Sequence, residues 1–217
     1  NLKNCYNKGT VTSRYPVGGM AYSITNSTLE KCFTEGEVYS TETPAGGIAY
    51  SISNSTLLEC YNKGSVISDS TTTDTTSGAA GISIIFEKST AEKCFNEGNI
   101  TGKYNAAGFA LKVDDSNLIK CYNKGTIEGR NGASGIIYIG TNTRCNSLYN
   151  KGNVTCNSPC AGIIYQANNC TIQQCANMAI INSGVPAGGV AYIVSNSNII
   201  KCYNTGDVYG NSGAGGT

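Results

Sequence analysis

Apolar and polar residues alternate over short stretches that are separated by glycine, asparagine and serine. In one stretch, Ile48, Tyr50 and Ile52 stand at every second position, which is the spacing of a strand. A second stretch runs from Leu29 to Phe33 and ends at Gly36. Most equivalents of this stretch end in Asn-Lys-Gly or Asn-Glu-Gly, which favours a tight turn that needs positive φ.

A third stretch is short and is centred on one β-branched residue. These residues are Val11, Val38, Val66, Ile100, Ile127, Val154, Ile180 and Val208. Each copy of the pattern therefore predicts three short strands and three turns.

Two motifs recur with the same period along the whole chain. The first begins at Cys5, Cys32, Cys60, Cys94, Cys121, Leu148, Cys175 and Cys202, and reads Cys-Tyr-Asn-Lys-Gly in three copies. The second reads Gly-Gly-Ile-Ala-Tyr from Gly46, with variants from Gly18, Ala80, Ala107, Ser134, Ala161 and Gly188. Successive copies of the first motif lie 27, 28, 34, 27, 27, 27 and 27 residues apart. The long interval contains residues 70–76, a Ser/Thr/Asp tract that we interpret as a surface loop inserted at one corner.

Three strands in about 27 residues cannot enclose a core alone, but stacked repeats can. The sequence therefore predicts an all-β fold, a parallel β-helix (β-solenoid) of about eight coils with three short strands per coil. We expect residues 1–217 to form a single domain, as a fragment or subunit of a longer rod.

Stacking places equivalent residues of successive coils over one another, in what we call columns. An apolar column is predicted at Leu2, Leu29, Leu57, Ala91, Leu118, Ile172 and Ile199. An asparagine ladder is predicted at Asn7, Asn62, Asn96, Asn123, Asn150, Asn177 and Asn204. The next column begins Lys8, Glu35, Lys63, Glu97, Lys124, so its vertical neighbours should attract one another. The preceding column of Tyr and Phe residues could stack on either side of the sheet.

Period-two alternation also predicts an outward strip of small or apolar residues. The strip comprises Ala21, Ala49, Ser83, Ala110, Ile137, Ile164 and Ala191. It would either pack laterally against another rod or partner, or be a tightly packed face of the sheet.

The Gly-Gly-Ile-Ala-Tyr and Cys-Tyr-Asn-Lys-Gly segments together resemble the GLUG-type repeats of large microbial surface proteins and other secreted β-helical adhesins. The resemblance covers essentially the whole chain. In the second motif, the characteristic second glycine is replaced by Ala21, Ala49, Ser83 or Ile137. The resemblance implies an extracellular, cell-attached repeat protein, and it supplies no catalytic residues.

Composition narrows the function classes. Charged residues are 13% of the chain and the formal net charge is +1, so we expect no nucleic-acid partner. No apolar run reaches about 18 residues, so we expect no membrane insertion. The chain has no His, the commonest general base and metal ligand. Asp114 and Asp115 form the only adjacent acid pair, and Asp69 and Asp74 lie in the inserted loop without calcium-loop spacing. We predict no enzyme, no cofactor and no metal.

Seven of the eleven cysteines fall in one column, at Cys5, Cys32, Cys60, Cys94, Cys121, Cys175 and Cys202. We interpret them as small buried hydrophobes, with cross-links or metal ligands as the alternatives. The others are Cys145, Cys156, Cys160 and Cys170. A disulfide is predicted between Cys145 and Cys170 and another between Cys156 and Cys160, with a four-cysteine metal site as the rival.

Five Asn-X-Ser/Thr sequons occur, at Asn26, Asn54, Asn99, Asn153 and Asn169. They would accept glycans in a eukaryotic secreted protein, and they also arise by chance in a chain rich in Asn and Thr. The sequence thus favours a non-enzymatic extracellular or cell-surface rod, an adhesin stalk or filament subunit that self-associates end to end or laterally. A host or matrix glycan or protein is the expected partner. The alternative is a β-helix that binds or degrades carbohydrate.

Overall fold

The computed structural model describes residues 1–216, which form 39 short strands and no helix. The strands pair in parallel with the equivalent strands of the neighbouring coils and make five sheets, here called A to E. Sheets A to D contain eight strands each and sheet E contains seven. The predicted parallel β-solenoid of about eight coils is confirmed.

The first predicted segment forms sheets A and B. Sheet A consists of Leu2–Lys3, Thr28–Glu30, Thr56–Leu58, Thr90–Glu92, Asn117–Ile119, Arg144–Asn146, Thr171–Gln173 and Asn198–Ile200. Sheet B consists of Tyr6–Asn7, Phe33–Thr34, Tyr61–Asn62, Phe95–Asn96, Tyr122–Asn123, Tyr149–Asn150, Ala176–Asn177 and Tyr203–Asn204. The two sheets are divided by one residue in the left-handed region, as at Lys31 (φ 54°), Glu59 (φ 54°) and Lys93 (φ 55°).

The second predicted segment is sheet C, and the third is divided into sheets D and E. Sheet C consists of Val11–Ser13, Val38–Ser40, Val66–Ser68, Ile100–Gly102, Ile127–Gly129, Val154–Cys156, Ile181–Ser183 and Val208–Gly210. Sheet D consists of Val17–Gly18, Ala45–Gly46, Gly78–Ala80, Asn105–Ala107, Gly132–Ser134, Cys160–Ala161, Ala187–Gly188 and Ala214–Gly215. Sheet E consists of Ala21–Thr25, Ala49–Ser53, Ser83–Glu87, Ala110–Asp114, Ile137–Thr141, Ile164–Asn168 and Ala191–Ser195.

The β-branched column of sheet C differs from the prediction in one coil. Val154 pairs with Ile181 rather than with Ile180, and Ile181 is fully buried while Ile180 is exposed. Ile181 lies six residues after Cys175, the same offset that relates Val154 to Leu148. The constant offset from the preceding motif therefore decides which isoleucine enters the core.

The glycine that follows each strand of sheet B does not have the positive φ that the turn sequence predicts. Among the described residues, only Gly78 and Gly213 are glycines with positive φ, so Gly36 and Gly64 have ordinary backbone conformations. A Cβ on Gly36 would overlap the carbonyl oxygen of Gly9, and a Cβ on Gly64 would overlap that of Gly36. The column consists of glycine because successive coils approach too closely there for a side chain.

Two apolar clusters fill the interior. Sheets A, B and E enclose the first cluster. It contains most of the predicted apolar column and of the cysteine column, with Leu29, Leu57 and Cys60 fully buried. Sheets C and D enclose the second, with Val66 and Ala79 fully buried. Burial of each large aliphatic side chain contributes about 1.5–3 kcal/mol to folding.

The predicted asparagine ladder lies inside the coil. Asn62, Asn96, Asn123, Asn150 and Asn177 are fully buried. The Nδ2 of Asn96 donates to Oδ1 of Asn123 over 2.8 Å, and Asn123 donates in the same way to Asn150. Each Nδ2 also donates within its own coil, as Asn123 does to the carbonyl of Gly125. The ladder satisfies polar groups that would be costly to bury alone.

The inserted tract lies at the corner between sheets C and D of the third coil. Ser70 and Ser77 are buried, whereas residues 71–75 are exposed. The Asp74 carboxylate accepts hydrogen bonds from Thr76 and Ser77, and the Asp74 carbonyl accepts one from Nδ2 of Asn105 at 3.1 Å. These bonds attach the tract to the adjoining coil.

Candidate functional site: the aromatic ladder and its charged rims

The outer face of sheet B carries the most regular row of side chains on the surface. Six rings from successive coils stack there, and we call them the aromatic ladder: Tyr6, Phe33, Tyr61, Phe95, Tyr122 and Tyr149. Neighbouring ring centroids are 4.7–5.1 Å apart, and neighbouring ring planes differ by no more than 11°. In-register parallel strands impose this spacing, because they lie about 4.8 Å apart.

The stacking decides what the ladder can bind. Each inner ring has both faces covered by its neighbours, so only ring edges and tyrosine hydroxyls face the solvent. A sugar that stacks on an aromatic face has no free face among these inner rings. Along its length the ladder can therefore present edges, hydroxyls and flanking charges to a partner, and it has a stacking face only at its end rings, Tyr6 and Tyr149.

A first rim of charged residues follows the ladder in sequence. Lys8 pairs with Glu35 at 3.0 Å, and Glu97 pairs with Lys124 at 2.7 Å and with Lys63 at 3.9 Å. The lysine ammonium groups also lie close to the ladder rings, with Lys124 5.0 Å from the centroid of Tyr122 and Lys151 5.6 Å from that of Tyr149. The predicted vertical attraction is confirmed, and each exposed pair is worth a few tenths of a kcal/mol.

The ion pairs shift the pKa values of their members. A hydrogen bond from Lys124 lowers the pKa of Glu97, and the same bond raises the pKa of Lys124. Partial burial raises the pKa of Tyr61 and of Tyr122. Tyr61 and Tyr122 are therefore neutral at physiological pH, and Glu97 and Lys124 both stay charged.

A second rim borders the other side of the ladder, and the sequence motifs did not predict it. It comprises Lys31, Glu59 and Lys93, the left-handed residues between sheets A and B, with Glu59 3.8 Å from Lys31 and 3.6 Å from Lys93. The alternation of Lys and Glu one residue before the motif cysteine was the available signal. Between this rim and the ring edges of Phe33, Tyr61 and Phe95 runs a groove of about 450 Å³.

A second column of side chains, most of them tyrosines, lies on the outer face of sheet E. We call it the outer tyrosine column: Tyr22, Tyr50, Ile84, Leu111, Tyr138, Tyr165 and Tyr192. Ile84 and Leu111 are fully buried against Ala80 and Ala107 of sheet D, in a cluster separate from the interior. The hydroxyl of Tyr138 lies over Gly132 of sheet D. The side chains of this column thus pack in the corner between the outer faces of sheets D and E.

The strip predicted to face outward lies inside the coil. Ala49, Ser83, Ala110, Ile137 and Ile164 are fully buried, and Ala49, Ala110, Ile137 and Ile164 belong to the interior cluster, against which Ala21 and Ala191 also pack. The alternation breaks within sheet E, since Ile48, Ala49 and Ile52 point inward and Tyr50 points outward. These residues offer no surface for lateral packing.

The four cysteines outside the column divide into a bonded and an unbonded pair. A disulfide joins Cys156 to Cys160, with their Cα atoms 6.2 Å apart. Cys145 and Cys170 are free thiols. Cys145 pairs with Ile172, so Cys170 is displaced by two residues. This displacement of about 6.6 Å, together with the spacing of about 4.8 Å between coils, puts the Cα atoms beyond disulfide reach.

The seven column cysteines are free, and five of them are buried: Cys32, Cys60, Cys94, Cys121 and Cys175.

Cys145, outside that column, is also a buried free thiol. Burial raises the pKa of Cys145 well above its ordinary value, which keeps this thiol protonated and unreactive. Among residues 1–216, no group of three or more Cys, Asp or Glu side chains is arranged to hold a metal ion.

The candidate acids do not converge on one site. Asp69 accepts a hydrogen bond of 2.6 Å from the Tyr39 hydroxyl. Asp74 is bound within its own loop, and the hydrogen bonds from Thr76 and Ser77 lower its pKa. Asp114 ends a strand of sheet E and has one buried oxygen without a hydrogen-bond partner, and Asp115 follows in the left-handed region at the corner.

The five sequons occupy two corners of the coil. Asn26, Asn54 and Asn169 have positive φ at the corner between sheets E and A, and Asn99 and Asn153 directly precede sheet C. All five asparagines are exposed. Their glycosylation stays a prediction.

Comparison of the chain with protein-family models, with curated proteins and with solved structures gives no significant match. The resemblance to GLUG-type repeats stays a prediction. Within residues 1–216 there is no helix of the length and apolar character needed to cross a membrane.

Proposed function

We propose that this chain is a segment of an extracellular, non-enzymatic repeat rod, serving as an adhesin stalk or a filament subunit. One observation carries the proposal: the long runs of side-chain interactions follow the solenoid axis, column by column. The buried amide ladder, the aromatic ladder and the ion-paired rims all connect each coil to the next. Such an arrangement strengthens a rod along its length, and it does not gather acids or nucleophiles from different columns into one cleft.

The outermost coils support growth of the rod by end-to-end stacking. Leu2 is 38% exposed and Val194 is 43% exposed, although their equivalents in inner coils, Leu57 and Val113, are fully buried. A further coil placed against either end would cover these residues and pair the free strand edges. The proposed partner at each end is another coil of the same kind.

An extracellular location is supported by two features of the chain. The Cys156–Cys160 disulfide is stable in an oxidising compartment. The five exposed sequon asparagines are placed where a glycan would not disturb the core. The groove beside the aromatic ladder is the proposed contact for a host or matrix protein or glycan, through ring edges and charges.

Negative-stain electron microscopy of the purified chain tests the rod, with solution mass measured by light scattering. We expect unbranched filaments, or masses that are multiples of 22.6 kDa. Dispersed particles of 22.6 kDa at all concentrations would overturn self-association.

Carbohydrate binding is the second candidate, and the outer tyrosine column favours it. Tyr22 ends this column and is 60% exposed, with one ring face against Tyr50 at 5.3 Å and the other face free. A glycan-array screen of the chain and of Tyr22→Ala tests this candidate. Binding that disappears in the variant would support a glycan-binding rod, whereas binding that persists would exclude this face.

A further inference from the structure

Tyr122 and Tyr149 are the only two consecutive tyrosines of the aromatic ladder. The four rings before them alternate as Tyr6, Phe33, Tyr61 and Phe95. The centroids of Tyr122 and Tyr149 are 4.7 Å apart, and the ring planes differ by 7°. Their backbones are paired in register on neighbouring coils.

The reactive edges of both rings are held side by side at the surface. Both residues are half-buried on the outer face of sheet B. Parallel rings in register place each Cε carbon, ortho to its hydroxyl, opposite the equivalent carbon of the other ring. Forming a bond between two Cε carbons requires both side chains to tilt, because that bond lies in the plane of each product ring, and the stacking keeps the two reacting carbons adjacent while they do so.

We propose that Tyr122 and Tyr149 form a dityrosine cross-link when the protein meets a one-electron oxidant such as a haem peroxidase with hydrogen peroxide. Each phenol loses one electron and one proton, and the two phenoxyl radicals join through their Cε carbons. The hydrogen on each joined carbon then moves to the oxygen, which restores both aromatic rings and hydroxyls. Two electrons and two protons leave in total, and they reduce one hydrogen peroxide to two waters.

The other adjacent tyrosines meet these conditions less well. Tyr138 and Tyr165 are closer, at 4.4 Å between centroids, but Tyr138 is only 7% exposed and its hydroxyl is enclosed against Gly132. Tyr22 and Tyr50 are accessible but 5.3 Å apart. Tyr61 lies between Phe33 and Phe95, and phenylalanine forms no phenoxyl radical.

The cross-link would act as a staple along the rod. It would join residues 27 positions apart in sequence and tie the fifth coil to the sixth. Closing this loop in the unfolded chain reduces the entropy that unfolding gains, so the oxidised protein should unfold at a higher denaturant concentration.

The test oxidises the folded chain at low protein concentration, after alkylation of the exposed Cys5 thiol, followed by peptide mass spectrometry. We expect one dominant linked pair that contains Tyr122 and Tyr149, with a mass lower by two hydrogen atoms and with dityrosine fluorescence. Tyr149→Phe should lose this product. Tyr61→Phe is the matched control and should keep it, since both variants place in the ladder a residue that it already contains.

Two results would overturn the proposal. One is a linked-peptide pattern dominated by exposed tyrosines such as Tyr15, which is 77% exposed, with the Tyr122–Tyr149 pair no more abundant than chance. The other is an unchanged amount of dityrosine in Tyr149→Phe. Circular dichroism of both variants before oxidation verifies that the solenoid is folded.

Discussion

Asn123 and Lys124 are adjacent in sequence, and each belongs to a column of side chains that connects it to the neighbouring coils. Asn123 is fully buried and is hydrogen-bonded to Asn96 and Asn150, at 2.8 Å each. Lys124 is on the outside, 2.7 Å from Glu97, with its side chain 45% exposed. The two ladders have the same spacing and nearly the same contact distances.

Burial is what separates them. A buried amide that loses its partner has no water to replace it, so each missing bond costs about 1–3 kcal/mol. An exposed ammonium that loses its carboxylate is hydrated instead, and the loss is a few tenths of a kcal/mol. The inward columns therefore hold the fold together, while the outward columns are free to vary and to meet partners.

The largest effect is expected from a charge placed in an inward column. Ile127 is buried in sheet C between Ile100 and Val154, whereas Glu128 beside it is exposed. Ile127→Asp buries an unpaired carboxylate and should destabilise the fold by more than about 4 kcal/mol. Soluble yield and urea denaturation measure this, with Glu128→Gln as the control that should unfold like the native chain. A folded Ile127→Asp protein of native stability would contradict the assignment of this column to the core.

The next effect compares the two ladders directly. Asn123→Ala removes the acceptor of Asn96 and the donor to Asn150, so we expect a loss of about 3 kcal/mol. Lys124→Ala removes only exposed contacts and should cost about 0.5 kcal/mol. Urea unfolding of both variants gives the two free energies. Equal losses would show that burial does not separate the ladders.

The sequence was sufficient to predict the coil, the period and most columns, because a constant repeat places equivalent residues over one another whatever the exact backbone. It was not sufficient to predict the side on which some residues lie. Ala49 and Ile164 were placed outside because a regular strand alternates, yet sheet E follows a bend at the glycines and its alternation is broken. Such breaks depend on backbone geometry that apolar spacing does not record.

The aromatic ladder shows the same limit. Its stacking follows from the repeat, but its outward side and its second rim depend on the left-handed residue between sheets A and B. Lys31, Glu59 and Lys93 share no composition typical of that conformation, which usually favours glycine or asparagine. The role of Gly36 was also misread, since close approach of the next coil requires it rather than a turn.

An interruption in the buried ladder offers a gain in stability. Thr34 replaces asparagine in the second coil, and both Thr34 Oγ1 and Asn62 Oδ1 are buried without a hydrogen-bond partner. Thr34→Asn would donate to Asn62, and Gly19 faces this position as Gly47 faces Asn62. We expect about 1 kcal/mol of added stability from urea denaturation. Thr205→Asn is the control and should add nothing, since the Thr205 side chain is exposed and makes no hydrogen bond within residues 1–216. A destabilised Thr34→Asn protein would show that the second coil cannot accept the ladder.

The smallest effect concerns the ion pairs of the first rim and depends on pH. The pKa of Glu97 is lowered in the folded state from its ordinary value of 4.5, so its contribution to stability is present above that pH and is lost as the pH falls through the folded value. The pKa of Lys124 is raised above 10.5, so the same pair is lost again as the pH rises beyond that value. Glu97→Gln should therefore reduce the free energy of unfolding by only a few tenths of a kcal/mol at pH 7.

The same difference should vanish once the pH has fallen through the lowered pKa of Glu97, because the native side chain is then protonated and resembles glutamine. It should also shrink in 1 M salt, because exposed ion pairs are screened over about 3 Å under those conditions. Urea unfolding of both proteins at pH 7 and at low pH, with and without salt, measures it. A difference that survives both treatments would mean that Glu97 stabilises the fold through packing rather than charge. The first rim would then contribute to stability in the way that the buried asparagine ladder does.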